Sequence, residues 1–196
     1  MVSEPGTGAD LVHAQAFAKV YAAQCGRLYA YLRYQVGDAA LAEDMTAEVF
    51  TRAWARQGDP RAPETMVAWL FATARNLVAD HYRRQRKERL TLRLDAVPAP
   101  WHPLTGSPED GVLRAERLAL VRRCLDDLGV REREILELRF VARLRNREIA
   151  PILGLSEGNV AKILHRTLRA LRARLDQEEG GDGRESVSAH LAQLPR

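Results

Sequence analysis

Hydrophobic residues recur at helical spacing in the first half of the chain. The spacing predicts one helix from about Ala14 to Val36, a second from about Asp38 to about Gly58, and a third that begins after Pro63. Each helix is predicted to turn one face toward a core. The predicted inward residues are Phe17, Tyr21, Leu28 and Leu32 in the first helix; Leu41, Met45, Val49, Phe50, Ala53 and Trp54 in the second; and Met66, Leu70, Ala74, Leu77 and His81 in the third.

The helical spacing is lost at residues 97–108, where four prolines fall within twelve residues. Such a stretch is typical of a linker between domains. Beyond it, the pattern predicts helices over 113–128 and 132–140 and two further helices that are separated at Gly154, the last ending near Leu175. No strand-like alternation stands out. The sequence therefore predicts an all-α protein, with one small helical domain on each side of a Pro-rich linker.

The distribution of charge along the chain is more informative than the net charge. The net charge is +4 on 196 residues, with an isoelectric point near 9.4. Residues 51–90 carry a net charge of +5 and residues 112–175 carry +7, whereas residues 9–50 carry −2 and residues 176–196 carry −3. Two separated basic blocks are typical of a protein that contacts nucleic acid at two places.

Other classes of protein are disfavoured by the composition. The two cysteines, Cys25 and Cys124, belong to no CxxC pair, so neither a disulfide framework nor a zinc site is expected. No apolar run of about eighteen residues exists, so no membrane insertion is expected. The five histidines are scattered and form no metal-ligand or nucleophile–base pattern, so we expect no enzyme activity, no metal and no cofactor. These features predict a cytoplasmic protein.

Residues 147–163 have the residue types of a helix-turn-helix. Ala150 lies four residues before Gly154, and Val160 and Ile163 lie six and nine residues after it. This motif needs a small residue where the helices cross, glycine in the turn and branched apolar residues on the buried face. The outward positions of the second helix, with Ser156 as its predicted N-cap, are the candidate DNA-binding residues: Ser156, Glu157, Asn159, Lys162, His165, Arg166 and Arg169. The alternative is a plain helical hairpin with a solvated basic face.

The third helix carries a second stripe on its outward side. Its members combine aromatic rings, an amide and several guanidinium groups: Trp69, Arg75, Asn76, Tyr82, Arg83, Arg84 and Arg86. Arginine binds phosphate, aromatic rings stack on unpaired bases and an amide can read a base edge. The stripe therefore indicates binding of single-stranded nucleic acid, against the alternative that Trp69 is a core residue and the arginines are solvated.

An acidic face on the second helix consists of Glu43, Asp44 and Glu48. Close carboxylates suit acid–base catalysis or a metal, but no histidine or further carboxylate stands at ligand spacing. From the residues alone, a face that binds a basic protein and an ordinary solvated face remain equally good interpretations.

Three segments together resemble the extracytoplasmic-function (ECF) group of bacterial RNA polymerase sigma factors in the sigma-70 superfamily. They are AEDMTAEVFTRAW at 42–54, AWLFATARNLVADHYRR at 68–84, and residues 128–138 leading into the helix-turn-helix. The resemblance covers nearly everything from Phe17 to Leu175. It implies a sigma domain 2-like helical bundle, a sigma domain 4-like helix-turn-helix domain, and no catalysis. The implied divisions are a disordered N-terminus at 1–11, a first domain at 12–90, a linker at 91–111, a second domain at 112–175 and a flexible acidic tail at 176–196.

The resemblance also implies partners and roles. Glu43, Asp44, Glu48 and Arg52 lie on the helix that docks on the clamp helices of the polymerase β′ subunit, and the β subunit is a further contact. The loop 56–64 and the helix after it open the −10 element of promoter DNA and capture a flipped base, with Asn76 at a base-reading position. The helix-turn-helix reads the −35 element, and the acidic linker runs toward the RNA exit side. An anti-sigma factor is a common partner in the family.

The chain departs from the family at four positions of the helix-turn-helix. Ala161 and Ile163 stand where many relatives have basic residues, Asn159 replaces a frequent threonine, and Pro151 is atypical. Lys162 and Arg166 are therefore expected to carry more of the −35 contact. Two other functions remain as alternatives: a conventional helix-turn-helix regulator that acts without joining polymerase, and a helical enzyme or scaffold whose basic faces are incidental.

Overall fold

The computed structural model describes residues 8–56, 63–91 and 121–179, except 122 and 126. Its helices are α1 (Gly8–Val36), α2 (Ala39–Ala55), α3 (Pro63–Thr91), α4 (Val130–Leu136), α5 (Asn146–Leu153) and α6 (Glu157–Glu179), and a π-helical turn (Glu137–Val141) continues α4. No strand occurs in this part of the chain, in agreement with the all-α prediction. The Pro-rich stretch, most of the expected helix 113–128 and the tail beyond residue 179 lie outside the described residues.

Two helices are longer than the hydrophobic pattern predicts. Helix α1 begins at Gly8, so residues 8–11 are helical although the sequence placed them in a disordered N-terminus. Helix α6 continues to Glu179, past the expected end at Leu175. Neither extension contains proline, and residues 9–18 are rich in alanine, so an established helix propagates through them at little cost.

Local signals set the boundaries of the first three helices. Gly37 has a left-handed φ of 74° and donates its N–H to the Arg33 carbonyl at 3.0 Å, which ends α1. Asp38 then accepts the Leu41 N–H at 2.8 Å and caps the start of α2. Pro63 occupies the first position of α3, where its missing N–H has no helical partner to lose.

The residues of the predicted inward faces of these three helices are buried or half-buried, with two exceptions. Leu28, Leu32, Val49, Leu70 and Ala74 are fully buried and form the centre of the first domain. Tyr21 and Trp54 were expected to face inward, but 47% and 45% of their surfaces are exposed. Both rings instead cover the edge of the core: the Tyr21 ring lies 4.6 Å from that of Phe50, and the Trp54 ring lies 5.0 Å from that of Phe17.

The C-terminal helices are joined by short, well-defined turns. The predicted helix 132–140 corresponds to α4 and its π-helical turn, which the Ala142 N–H closes by bonding to the Glu137 carbonyl at 3.0 Å. Arg143 follows with a φ of 54°, the one non-glycine residue in the described chain with a positive φ.

The two halves of the chain pack on each other. Helix α3 contacts α5, and α1 contacts the π-helical turn. A single apolar cluster contains residues from both halves, including Leu28, Phe71, Ile135, Leu138 and Ile149. The described residues therefore form a closed arrangement in which the helix-turn-helix lies against the first three helices.

Candidate nucleic-acid interface

The helix-turn-helix has the geometry that its sequence predicts. Gly154 takes a left-handed φ of 65°, which suits glycine at this turn, and the Leu155 N–H bonds to the Ala150 carbonyl at 2.9 Å. The Asn159 N–H donates to the Ser156 hydroxyl at 3.2 Å, so Ser156 is the N-cap of α6 as predicted. Val160 is fully buried beneath the turn. Helix α6 is thereby held across α5 with its outer face in solvent.

Pro151 lies inside α5, about one turn after the helix begins. It removes the N–H that would bond to the Arg147 carbonyl. Its ring is exposed, and the flanking Ala150 and Ile152 remain buried. The α5 backbone therefore accommodates the atypical proline on the solvent side without losing its packing face.

Every residue that the sequence assigned to the outer face of α6 or to its N-cap is exposed. The exposed side chains on this surface are Ser156, Glu157, Asn159, Lys162, His165, Arg166 and Arg169. Arg166 donates to the Glu132 carboxylate of α4 at 2.9 Å. A helix that presents amide, imidazole and guanidinium groups on one open side has the shape and the donors to enter a major groove.

The α3 stripe is only partly arranged as the sequence predicts. Asn76, Arg83, Arg84 and Arg86 are exposed, whereas Trp69 and Tyr82 are half-buried against the core. The Tyr82 hydroxyl donates to the Gln35 carbonyl at 2.6 Å, and burial raises the pKa of Tyr82. The Arg56 guanidinium lies 5.4 Å from the centre of the Trp69 ring. The amide and three arginines therefore face solvent, while the two aromatic rings have structural contacts as well.

Arg75, a member of the same stripe, is engaged within the protein. Its guanidinium forms an ion pair with the Glu134 carboxylate of α4, on the other side of the domain boundary. Arg83 also has an acidic partner, Asp80, at 2.9 Å, but that pair lies within α3. The basic surface of α3 is thus partly neutralised in this arrangement.

The acidic face of α2 lies in solvent. Glu43 and Asp44 are exposed, and Glu48 forms an ion pair with Arg52 one turn later, with about half of each side chain exposed. Because Arg52 neutralises part of the charge of Glu48, Glu43 and Asp44 carry most of the open negative charge. Carboxylates on a solvated helix face suit a basic protein surface.

Several interdomain contacts were not predicted from the sequence. They involve Arg27, Gln35, Glu134 and Glu137, whose partners lie 59 to 116 positions away along the chain. No local motif marks such pairs, so nothing in the spacing of one chain could have identified them.

In the ranges 8–56, 63–91 and 121–179, no group of three or more histidine, cysteine, aspartate or glutamate side chains is placed to hold a metal ion. Within the same ranges, no helix is both long and apolar enough to cross a membrane.

The fold and these surfaces define a class: a helical protein with a helix-turn-helix domain and a second basic helix. The Sigma-70 region 2 model matches residues 20–88, and the Sigma-70 region 4 model matches residues 124–173. The matched segments contain the two candidate nucleic-acid surfaces and the acidic face of α2.

Similarity to curated proteins identifies the family more precisely. The chain is 30% identical over 174 residues to the ECF RNA polymerase sigma factor SigL of Mycobacterium tuberculosis, covering 87% of this chain and 95% of SigL. It is 35% identical over 159 residues to the ECF sigma factor BldN of Streptomyces coelicolor, covering 81% of this chain and 60% of BldN. The chain belongs to the ECF RNA polymerase sigma factors, which direct promoter recognition by RNA polymerase and are not enzymes.

Two solved structures share the fold. The sigma factor RpoE of Bartonella quintana, in complex with the anti-sigma factor NepR, matches with a TM-score of 0.55 and 20% identity, covering 83% of this chain and 98% of RpoE. CnrH, in complex with the cytosolic domain of CnrY, matches with a TM-score of 0.54 and 24% identity, covering 84% of this chain and 90% of CnrH.

Proposed function

We propose that three helices of this sigma factor each have a separate binding role. The α2 face of Glu43, Asp44, Glu48 and Arg52 binds the clamp helices of the polymerase β′ subunit. Helix α6 reads the −35 element, and α3 holds the opened −10 element. The observation that carries this proposal is the exposure of all seven polar side chains assigned to α6 and its N-cap, next to a buried helix-turn-helix core.

The −10 role of α3 rests on the chemistry of its exposed groups. Flipping a base out of the duplex costs a few kcal/mol in lost stacking and pairing. A surface with an amide and several guanidinium groups offsets this cost by holding the single strand. Asn76 supplies the group that can read a base edge, and Arg83, Arg84 and Arg86 supply phosphate contacts. The other members of the α3 stripe join this surface once their present contacts are released; they are Trp69, Arg75 and Tyr82.

The domain divisions and remaining partners complete the proposal. We place the polymerase- and −10-binding domain at 12–90 and the −35-binding domain at 112–175, joined by the linker 91–111, which passes the β subunit toward the RNA exit side. The protein acts in the cytoplasm. An anti-sigma factor is a further proposed partner, and the similar fold of RpoE of Bartonella quintana, which is bound to the anti-sigma factor NepR, supports it.

Binding to DNA with and without core polymerase separates a sigma factor from a conventional regulator. We expect the isolated chain to bind promoter fragments weakly and the chain with core polymerase to bind a subset of them tightly, measured by electrophoretic shift on a genomic fragment library. Tight, specific binding of duplex DNA by the isolated chain, with no gain on adding core polymerase, would instead support the conventional regulator.

Arg166→Ala should weaken −35 binding at one particular base pair. If Arg166 makes a bidentate base contact, its loss costs about 1–3 kcal/mol for the preferred base and little for the others. Arg169→Ala is the matched control, because a phosphate contact lowers affinity evenly across sequences and reduces the salt dependence by about one ion. Holoenzyme affinities for −35 duplexes with single base changes distinguish the two. An even loss for Arg166→Ala would make it a phosphate contact as well.

A further inference from the structure

Glu132, in the first turn of α4, contacts both the start of its own helix and the outer face of α6. One carboxylate oxygen, Oε2, accepts the Gly129 N–H at 3.2 Å, which satisfies a backbone donor at the start of α4. The other oxygen, Oε1, accepts from the Nη2 of Arg166 at 2.9 Å. Both oxygens of the carboxylate are therefore bonded, one of them to the backbone of its own helix.

The bond to its own backbone limits how Glu132 can move. The carboxylate and the Gly129 N–H lie in the same turn, so Glu132 cannot follow a moving guanidinium without leaving that donor unsatisfied. The Glu132 side chain is 29% exposed, whereas the Arg166 side chain is 72% exposed. Arg166 is therefore held at one terminal nitrogen by an anchored, partly buried acceptor, while most of its side chain remains in solvent.

An exposed ion pair of this kind adds little to the stability of a fold, because solvent screens it. Its effect on DNA recognition is of another kind. A free arginine side chain samples many rotamers, and immobilising such a side chain on a partner lowers affinity about two- to tenfold. A bidentate contact to a base edge also requires the plane of the guanidinium to be aligned with the base. A carboxylate that already holds Arg166 removes part of this cost before DNA binds.

The charge of Glu132 acts on the other type of DNA contact. A phosphate is recognised mainly by charge, and a carboxylate beside Arg166 neutralises part of that charge. The same group therefore favours base reading and weakens phosphate binding. Within the described ranges, Arg166 is the one basic residue of the α6 surface that pairs with a carboxylate. The effect is therefore expected at the base pair that Arg166 contacts.

We propose that Glu132 is a positioning residue, which orients Arg166 toward one base pair of the −35 element and thereby raises the sequence selectivity of the holoenzyme. This rests on the proposed −35 role of α6. Glu132 acts through the guanidinium that it holds and makes no base contact of its own. Because its two bonds use different oxygens, one bond can be removed while the other is kept.

Glu132→Gln is the variant that separates the two bonds. Glutamine also suits this position of a helix start, since its amide oxygen can accept the Gly129 N–H. The amide nitrogen then faces Arg166 as a second donor and cannot hold it. The start of α4 should therefore be kept and the bond to Arg166 lost. Thermal unfolding and circular dichroism of the full chain check that the variant folds as the wild type does.

The test measures the ratio of holoenzyme affinities for two −35 sequences. The probes are a promoter fragment selected by the wild-type holoenzyme and the same fragment with each −35 base pair changed singly. Loss of a negative charge beside DNA raises the affinity for every probe, and the ratio cancels this general effect. Glu132→Gln should lower the ratio about two- to tenfold at the base pair where Arg166→Ala lowers it. In the Arg166→Ala background, Glu132→Gln should change no ratio.

Asp127→Asn is the matched control for Glu132→Gln. It also turns a carboxylate into an amide and breaks an ion pair with an α6 arginine, Arg174 at 3.2 Å, about two turns beyond Arg166. Its ratios should equal those of the wild type. Unchanged ratios for Glu132→Gln, or a loss that persists in the Arg166→Ala background, would overturn the positioning role. If Arg166→Ala itself changes no ratio, the base-reading role of Arg166 fails, and the positioning role fails with it.

Discussion

Replacing Glu43, Asp44 and Glu48 together by alanine should lower the affinity for core RNA polymerase at least about thirtyfold, or about 2 kcal/mol. The three side chains lie on the open side of α2, opposite the buried Met45 and Val49. Since their removal leaves no cavity, the fold should be retained. The loss should therefore appear in core binding, measured by fluorescence anisotropy of the labelled protein, and not in thermal stability.

The control for this variant removes the same charge from other surfaces. Glu88, Asp127 and Asp176 are exposed and lie outside α2, so their replacement by alanine changes the net charge equally. We expect core affinity to stay near the wild-type value for this control, with a small increase in its salt dependence at most. Equal affinities for the two triple variants would refute the assignment of the α2 face to polymerase.

Glu137→Gln should make the protein more stable at pH 8 and remove most of the pH dependence of its stability between pH 4.5 and 7. Burial raises the pKa of Glu137 from 4.5 to about 7, and the nearby Glu134 charge adds to the rise. The hydrogen bond from Gln35 and the charge of Arg133 act in the opposite direction. Tyr31, itself buried, has its pKa raised by burial first and then by the charge of Glu137. The carboxylate thus lies in a site that favours its neutral form.

The direction of this pH dependence follows from the pKa of Glu137, which differs between the unfolded and the folded chain. The unfolded chain ionises this group near pH 4.5 and the folded chain near pH 7, so folding takes up a proton between these values. Its contribution to stability is complete below pH 4.5 and is lost as the pH rises to about 7, on the order of 3 kcal/mol in total. A neutral glutamine avoids this loss.

Urea titrations from pH 5 to pH 8 measure the free energy of unfolding for this comparison. The wild type and the control Asp127→Asn should lose stability as the pH rises toward 7, whereas the free energy of unfolding of Glu137→Gln should change little. A Glu137→Gln protein that is less stable than the wild type at pH 8 would show that the charged carboxylate is needed in the fold.

Much of the fold could be predicted from the sequence because its signals are local. Gly37 with Asp38, Gly154 with Ser156, and the helical spacing of Leu28 and Leu32 each act within one or two turns of helix. The same holds for the outer face of α6, since burying Val160 leaves only one side of the helix for the polar residues. Local interactions were therefore enough to predict the helices, the turn and the exposed face of α6.

The rest depends on contacts between distant parts of the chain. Helical periodicity places Tyr21 and Trp54 on the inward side, but both rings lie at the edge of the core and stay about half exposed. The same limit applies to Arg75, whose pairing with Glu134 joins residues 59 positions apart. The sequence shows which side chains are available for such pairs. Which of them come into contact depends on the packing of the helices.

Transcription initiation in vitro with core polymerase tests the central claim most directly. Core polymerase should start transcription on a subset of a genomic promoter library only when this protein is added, and the Glu43, Asp44 and Glu48 triple-alanine variant should lose that activity. If the protein promotes initiation on no member of the library, the account of a promoter-specificity subunit is contradicted.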